Sequence, residues 1–164
     1  MKQIKDNKHG LIGHSGFVGS TLKKQHVFNS LFRSSDIETI QDQEFELLVC
    51  AGAQAKKWMA NKNPKDDLRG IQKLMNALSR VSCKKFILIS TVDVFSDPLG
   101  KNELSDISIK DLHPYGLHRR ELELFVKKKF DESLIIRLPG LVGSGLKKNI
   151  IYDPKAKRES EANP

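Results

Sequence analysis

The chain has 164 residues, of which 38% are hydrophobic and 29% are charged, a balance typical of a folded globular protein. It contains no apolar run long enough to predict a membrane-spanning helix. Its charged N-terminal residues lack the apolar segment of a signal peptide, so we expect a cytoplasmic protein without a membrane partner. The formal charge of +8 is dispersed, without the aromatic interleaving or fold signature of a nucleic-acid-binding domain. We therefore expect no specific nucleic-acid partner.

Apolar segments alternate with amphipathic helical patterns along the chain, which predicts β/α units around a parallel sheet. In the N-terminal part, the pattern predicts a strand at residues 10–13, a short helix at 17–24 and a second strand at 27–32. Residues 37–46 are compatible with a degenerate third strand or with an irregular crossing. A short buried strand is then expected at 47–51.

The second half of the chain continues the same alternation. Asn63 is a candidate N-cap with proline at the first helical position, followed by a helix with one apolar face. Residues 85–90 form the clearest predicted strand, a helix is expected at 115–129, and a last strand at 134–138. We therefore expect one domain over residues 1–150 and a disordered tail over 151–164.

Three glycines at positions 13, 16 and 19 lie between the first predicted strand and the first predicted helix. Glycines at this spacing let the backbone turn tightly, approach a diphosphate closely and pack the helix against the sheet. The free amides and partial positive charge of the helix N-terminus then favour phosphate. The pattern is a weak signal on its own because glycines occur in many loops, but it predicts dinucleotide binding.

Two further candidate sites follow predicted strands at the carboxyl edge of the sheet, where open α/β sheets bind ligands. Thr91 follows the strand at 85–90, where its hydroxyl is suited to holding a substrate oxygen. Tyr115 and Arg119 are four residues apart on a helix, so the phenol and the cation share one face. A cation beside a phenol lowers its pKa and prepares it for proton transfer.

Together these segments resemble the short-chain dehydrogenase/reductase superfamily, specifically its extended branch of NAD-dependent sugar-nucleotide epimerases and dehydratases. The resemblance covers roughly residues 9–145 and is carried, in order, by GHSGFVG, STVDVF, PYGLHR and IIRLPGLVGSG. It implies an α/β fold with a Rossmann-type doubly wound parallel sheet in three α/β/α layers. Few residues follow Pro139, so the substrate region is expected to be short or missing.

The resemblance implies an NAD(P)-dependent oxidoreductase or epimerase-type protein acting on a sugar nucleotide or a similar hydroxyl or carbonyl substrate. Thr91, Tyr115 and Arg119 would form its catalytic site, with Arg119 in the position of the family's lysine. Arginine keeps the charge but is poorly suited to relaying a proton. The alternative is therefore a non-catalytic dinucleotide-binding or redox-sensing module.

The cofactor-binding residues implied by the resemblance come from the glycine loop, two strand ends and the start of the 115–129 helix. They are Gly13, Ser15, Gly16, Phe17, Val18, Gly19, Arg33, Ser34, Ala51, Tyr115 and Arg119. Arg33 and Ser34 suit a ribose 2′-phosphate, so NADP is the preferred cofactor; Asp36 nearby keeps NAD as the alternative.

Neither the histidines nor the cysteines show metal-ligand spacing, so no metal is expected. His113 and His118 are interpreted as surface or helix-face residues. The resemblance also implies a homodimer that pairs the helices near residues 64–80 and 115–129 across a twofold axis.

Overall fold

The structure is a computed structural model that describes residues 8–143. Within this range, five strands and four α-helices alternate along the chain. In order they are β1 (His9–Ile12), α1 (Phe17–Gln25), β2 (Ser30–Phe32), β3 (Glu44–Cys50), α2 (Lys57–Lys62), α3 (Pro64–Ser79), β4 (Ser82–Thr91), α4 (Pro114–Lys129) and β5 (Ser133–Leu138). Short 3-10 helices lie at Ile37–Ile40 and Val92–Val94. The tail predicted at 151–164 lies outside the described residues.

All five strands are parallel and are ordered β2-β1-β3-β4-β5. The chain moves in one direction from β1 to β2 and in the other from β3 through β4 to β5. Right-handed crossovers therefore place α1 on one face of the sheet and α3 with α4 on the other. This is the predicted Rossmann-type α/β/α arrangement, and it is confirmed.

The main hydrophobic core lies between the sheet and the helices α3 and α4. Alternate strand residues such as Leu48 and Leu88 meet Leu78 of α3 and Leu122 of α4 there, all at most 1% exposed. Burying a leucine side chain stabilises the fold by about 1.5–3 kcal/mol. Leu11 is also fully buried but lies outside this cluster, as expected for a strand residue pointing to the opposite face.

The segment at residues 37–46 is an irregular crossing, with β3 beginning only at Glu44. Its 3-10 helix buries Ile37 and Ile40, so these apolar residues reach the core without a strand. The predicted strand at 27–32 is shorter than expected, because Val27 is 80% exposed and pairing with β1 begins at Ser30. Because residues 37–46 contribute no separate strand, the strand that ends at Thr91 is β4.

The two helices that frame the site begin differently from each other. Asn63 occupies the N-cap position of α3, as predicted, but its side chain makes no capping hydrogen bond. The helix α4 is capped by His113, whose Nδ1 accepts a hydrogen bond from the Gly116 amide at 3.1 Å. His113 is therefore part of the helix start, and its side chain stays 32% exposed.

Neither a metal-binding cluster nor a membrane-spanning helix occurs in the part of the chain that the structure describes. Among residues 8–143, no three His, Cys, Asp or Glu side chains are grouped so as to hold a metal ion. None of the helices in that range has the length and apolar character needed to cross a bilayer. Cys50 is buried and Cys83 partly buried, and both are free thiols.

Candidate functional site

A cleft of about 610 Å³ opens at the carboxyl edge of the sheet, within the size range of small-molecule and cofactor sites. It lies where the connection after β1 runs to one face of the sheet and the connection after β3 to the other, the point at which doubly wound sheets bind ligands. All residues predicted to bind a cofactor or act in catalysis line it. They are Gly13, Ser15, Gly16, Phe17, Val18, Gly19, Arg33, Ser34, Ala51, Thr91, Tyr115 and Arg119.

At two of the three positions in the glycine loop, the surrounding backbone leaves no room for any residue other than glycine. Gly13 has a φ of 81°, and a Cβ there would lie 2.2 Å from the carbonyl oxygen of Ala51. A Cβ on Gly19 would lie 2.1 Å from the carbonyl oxygen of Gly13. At Gly16, by contrast, a Cβ would meet only that same oxygen, at 3.4 Å. The space beside Gly16 is therefore open to a ligand.

The N-terminus of α1 adds a partial positive charge to this loop. Gly16 is its N-cap, with no side-chain cap and no acidic residue in the first turn. The first amides of an α-helix have no partner within the helix, and they carry the positive end of its dipole. Because Gly16 and Phe17 line the cleft, this end of the helix is suited to an anionic group.

In the turn after β2, Asp36 binds the backbone while the Arg33 side chain faces the cleft. The Arg33 amide donates a hydrogen bond to Asp36 Oδ1 at 2.6 Å, so this carboxylate closes the turn. The Arg33 side chain lines the cleft together with Ser34 and donates from Nε to His14 Nε2 at 3.1 Å. One oxygen of the Asp36 carboxylate, the group that favours NAD in the sequence, is thus bound to the backbone.

Thr91 and Tyr115 meet at the other end of the cleft. Tyr115 is 7% exposed, and its amide donates to Asn61 Oδ1 at 3.0 Å. Burial raises the pKa of the Tyr115 phenol, although the Arg119 charge and a hydrogen bond with Thr91 act to lower it. The Arg119 charge therefore acts on the Tyr115 pKa in the expected direction, but the cost of removing a phenolate from water is larger and the net shift is upward.

Arg119 lies against Tyr115 but is held by other partners. Its guanidinium carbon is 4.0 Å from the centroid of the Tyr115 ring. Nη1 donates to Asp67 Oδ2, and Nη2 donates to the carbonyl oxygen of Gln54 at 2.5 Å. Arg119 is 2% exposed, and its Nε has no hydrogen-bond partner among residues 8–143. One buried N–H of this cation therefore donates no hydrogen bond within the part of the chain that the structure describes.

Comparison with known proteins agrees with this geometry. The model of the NAD-dependent epimerase/dehydratase family matches residues 29–153, about three quarters of the chain. The chain belongs to that family. The resemblance inferred from the four sequence segments is confirmed. No curated protein sequence matches the chain.

Several solved structures share the fold of this family member. A dTDP-4-dehydrorhamnose reductase from Bacillus anthracis in complex with NADP is 19% identical over 88% of this chain and 58% of its own, with a TM-score of 0.65. MoeE5 in complex with UDP-glucuronic acid and NAD is 16% identical over 88% and 59%, with a TM-score of 0.69. A UDP-N-acetylglucosamine 4-epimerase from Methanobrevibacter ruminantium, in complex with UDP-N-acetylmuramic acid, is 17% identical over 82% and 55%, with a TM-score of 0.61. The chain thus spans less than three fifths of the length of each.

Beyond the residues that identify the family, the site contains a buried ion-pair cluster that sequence reasoning missed. Asp67 on α3 accepts from Arg119 and lies 2.7 Å from His118 Nδ1. His118 is 5% exposed, so it is not a surface residue but lies on the buried face of α4. The available signal was the position of Asp67, which is four residues before Ile71 and seven before Leu74 on the buried face of α3.

The Asp67 carboxylate is stabilised in its charged form by this cluster. Burial alone would raise its pKa, but hydrogen bonds from Arg119 and His118, together with their charges, outweigh burial and lower it. The ionised Asp67 carboxylate balances the positive charge of the Arg119 guanidinium. This ion pair links α3 to α4 next to Tyr115.

A second carboxylate lies beside Thr91. Asp93 Oδ2 accepts from the Thr91 hydroxyl at 3.1 Å, and Asp93 Oδ1 pairs with Lys57 Nζ at 2.6 Å. Asp93 and Lys57 both line the cleft. Asp93 is therefore a polar group of the site.

Proposed function

We propose that the chain binds NADP(H), with NAD(H) as the alternative, and that it acts as an oxidoreductase or epimerase-type enzyme on a sugar nucleotide or a similar hydroxyl or carbonyl substrate. The observation that carries the proposal is the convergence of the glycine loop, Arg33 and the Thr91–Tyr115 pair in one cleft. Similar folds in complex with NADP or NAD, one of them also with UDP-glucuronic acid, support it.

The residues of the cleft fit a dinucleotide on two counts. The open space beside Gly16 admits a diphosphate close to the backbone at the N-terminus of α1. The buried and unsatisfied Nε of Arg119 offers a donor to a polar ligand group at the far end. Arg33 and Ser34 line the side suited to a ribose 2′-phosphate, which supports the preference for NADP.

When bound, the nicotinamide supplies or accepts the hydride. The Tyr115 phenol is protonated at neutral pH, since the ordinary pKa of tyrosine is about 10 and burial raises it, so it has a proton to donate to a substrate carbonyl oxygen. Thr91, which lines the cleft together with Tyr115, helps to orient that oxygen. Arg119 stabilises the phenolate that forms, as a fixed charge 4.0 Å from the ring.

The test of this proposal uses the only tryptophan of the chain, Trp58, which directly follows the cleft-lining Lys57 in α2. We expect NADPH to quench its fluorescence at lower concentration than NADH. Turnover is followed by nicotinamide absorbance across a panel of sugar nucleotides. Tyr115→Phe is expected to bind NADPH like the wild type but to lower turnover by about 10²–10⁴-fold, the usual contribution of a general acid.

The second candidate function, a non-catalytic dinucleotide-binding or redox-sensing module, is favoured by the position of Arg119. Its guanidinium is committed to Asp67 and the Gln54 carbonyl, so it is not a free, compact cation like the lysine it replaces. NADPH binding without turnover on any substrate supports this alternative. If neither NADPH nor NADH binds at millimolar concentration, both functions are rejected.

We also propose a homodimer through α3 and α4. These helices pack side by side, and Leu124 on α4 is 50% exposed, an apolar side chain available to a second copy. The remaining apolar face of α3 is largely used in the core. Light scattering is expected to give twice the 18.5 kDa of one chain, and Leu124→Lys to reduce the mass toward one chain. A wild-type monomer at high concentration contradicts the proposal.

A further inference from the structure

We infer that His14 is a positioning residue for Arg33, and that the two together select a nucleotide with a 2′-phosphate over one with a 2′-hydroxyl. This inference rests on the proposed function, because it specifies how the cleft distinguishes one dinucleotide from the other. His14 lies in the glycine loop, but nothing in the glycine pattern requires a histidine there.

The sheet brings the two residues together although they are 19 positions apart in the chain. β1 and β2 pair in parallel, with Ile12 opposite Phe32, and the Gly13 amide continues the pairing with the Phe32 carbonyl at 2.9 Å. The residue that follows Gly13 is His14, and the residue that follows Phe32 is Arg33. Their side chains therefore meet at the mouth of the cleft, where Arg33 Nε donates to His14 Nε2 at 3.1 Å.

Arg33 is consequently anchored at two points. Asp36 Oδ1 holds its backbone amide at 2.6 Å, and His14 holds Nε. The terminal nitrogens Nη1 and Nη2 make no hydrogen bond with any residue in the range 8–143 and remain available as a planar fork. Such a fork binds two phosphate oxygens at once, whereas a hydroxyl accepts only one of its hydrogen bonds.

The advantage of the histidine is preorganisation. A long, exposed arginine side chain loses rotamer freedom when it binds a phosphate, and this loss weakens binding. A hydrogen bond to His14 removes part of that freedom before the ligand arrives. The histidine accepts this bond only in its neutral form; partial burial and the charges of Arg33 and Lys23 lower its pKa and keep it neutral, with Asp36 opposing them.

The experiment compares two adenosine probes, 2′,5′-ADP and 5′-AMP, by calorimetry on the full chain at a pH where histidine is neutral. We expect 2′,5′-ADP to bind more tightly than 5′-AMP. His14→Leu, which cannot accept a hydrogen bond, is expected to weaken 2′,5′-ADP by about 3–10-fold, the effect of one lost hydrogen bond, and to leave 5′-AMP within about 2-fold. His14→Gln, which offers a carbonyl oxygen, is expected to recover most of the loss.

A double-mutant cycle separates positioning from direct contact. Once Arg33→Ala has removed the fork, His14→Leu should cause no further loss of 2′,5′-ADP affinity. A full additional loss in that background means that His14 acts independently of Arg33 and overturns the inference. So does an equal weakening of both probes by His14→Leu in the wild-type background.

Failure of the inference can be told apart from failure of the proposed function. If the wild type binds both probes equally well, the cleft takes a nucleotide but does not distinguish a 2′-phosphate from a 2′-hydroxyl; the inference and the preference for NADP are then rejected, while dinucleotide binding stands. If neither probe nor NADPH binds, the proposed function is rejected with it. Thermal unfolding of each variant confirms that the exchanged loop residue leaves the fold intact.

Discussion

Replacing Asp67 with alanine is expected to lower the free energy of unfolding by about 3–5 kcal/mol, because it leaves the buried Arg119 charge without its partner. Arg119 is 2% exposed and donates to Asp67, and His118 loses the same acceptor. Urea unfolding followed by circular dichroism measures the change.

The neighbouring Asp66 supplies a matched control. It lies in the same first turn of α3 and pairs with Arg69, but both side chains are more than 70% exposed. An exposed ion pair contributes little, so Asp66→Ala is expected to cost less than about 1 kcal/mol. If the two variants lose equal stability, the cluster around Asp67 does not hold α3 to α4.

The same cluster predicts how the stability depends on pH. The pKa of Asp67 is lowered in the folded chain, so its contribution is complete above the usual aspartate pKa of about 3.9 and is lost as the pH falls through the lowered value. The stability difference between the wild type and Asp67→Asn is therefore expected to be constant near neutral pH and to shrink in acid. A difference that grows as the pH falls contradicts this.

Gly19→Ala is expected to abolish measurable NADPH binding and to destabilise the fold by about 1–3 kcal/mol, the usual cost of overpacking. A Cβ there would lie 2.1 Å from the Gly13 carbonyl oxygen and 2.9 Å from His14 Cα, both backbone atoms. The loop must shift to admit the methyl group, and the amides at the start of α1 shift with it. Fluorescence titration and urea unfolding report the two effects.

Two other glycines provide the controls. Gly70 lies in α3, and a Cβ there would have no other atom within 4 Å, so Gly70→Ala is expected to stabilise the fold by about 0.5–1 kcal/mol through helix propensity. Gly16→Ala is expected to fold normally, since its Cβ makes only an ordinary contact, yet to bind NADPH weakly because the methyl group occupies the proposed diphosphate position. Wild-type affinity in Gly16→Ala would place the diphosphate elsewhere.

Local sequence patterns were sufficient for most of the fold. The alternation of apolar strands with amphipathic helices predicted β1, β3, β4, β5 and the helix α4 to within a few residues. Residues 37–46 stayed ambiguous because two isoleucines three positions apart suit either a strand or a helical turn. Only the packing of Ile37 and Ile40 into the core shows that the segment crosses as a 3-10 helix.

The candidate site was predicted less evenly. Gly13, Gly19, Thr91 and Tyr115 lie together in the cleft as their motifs indicated, because each motif is a short segment at a strand end. The sequence does not show that the Asp36 carboxylate binds the Arg33 amide. It does not show either that His118 is buried against Asp67, a partner 51 positions away.

What the sequence alone determined is the order of strands and helices, the glycine turn and the spacing of Tyr115 and Arg119, all of which depend on residues near one another in the chain. The tertiary structure decided the partners of Arg119, the direction of the Tyr115 pKa and the meeting of His14 with Arg33. Asp67 reaches Arg119 across 52 positions, and the burial that raises the Tyr115 pKa comes from several elements at once. Desolvation and ion pairing depend on distance in space, and no local pattern in the chain encodes that distance.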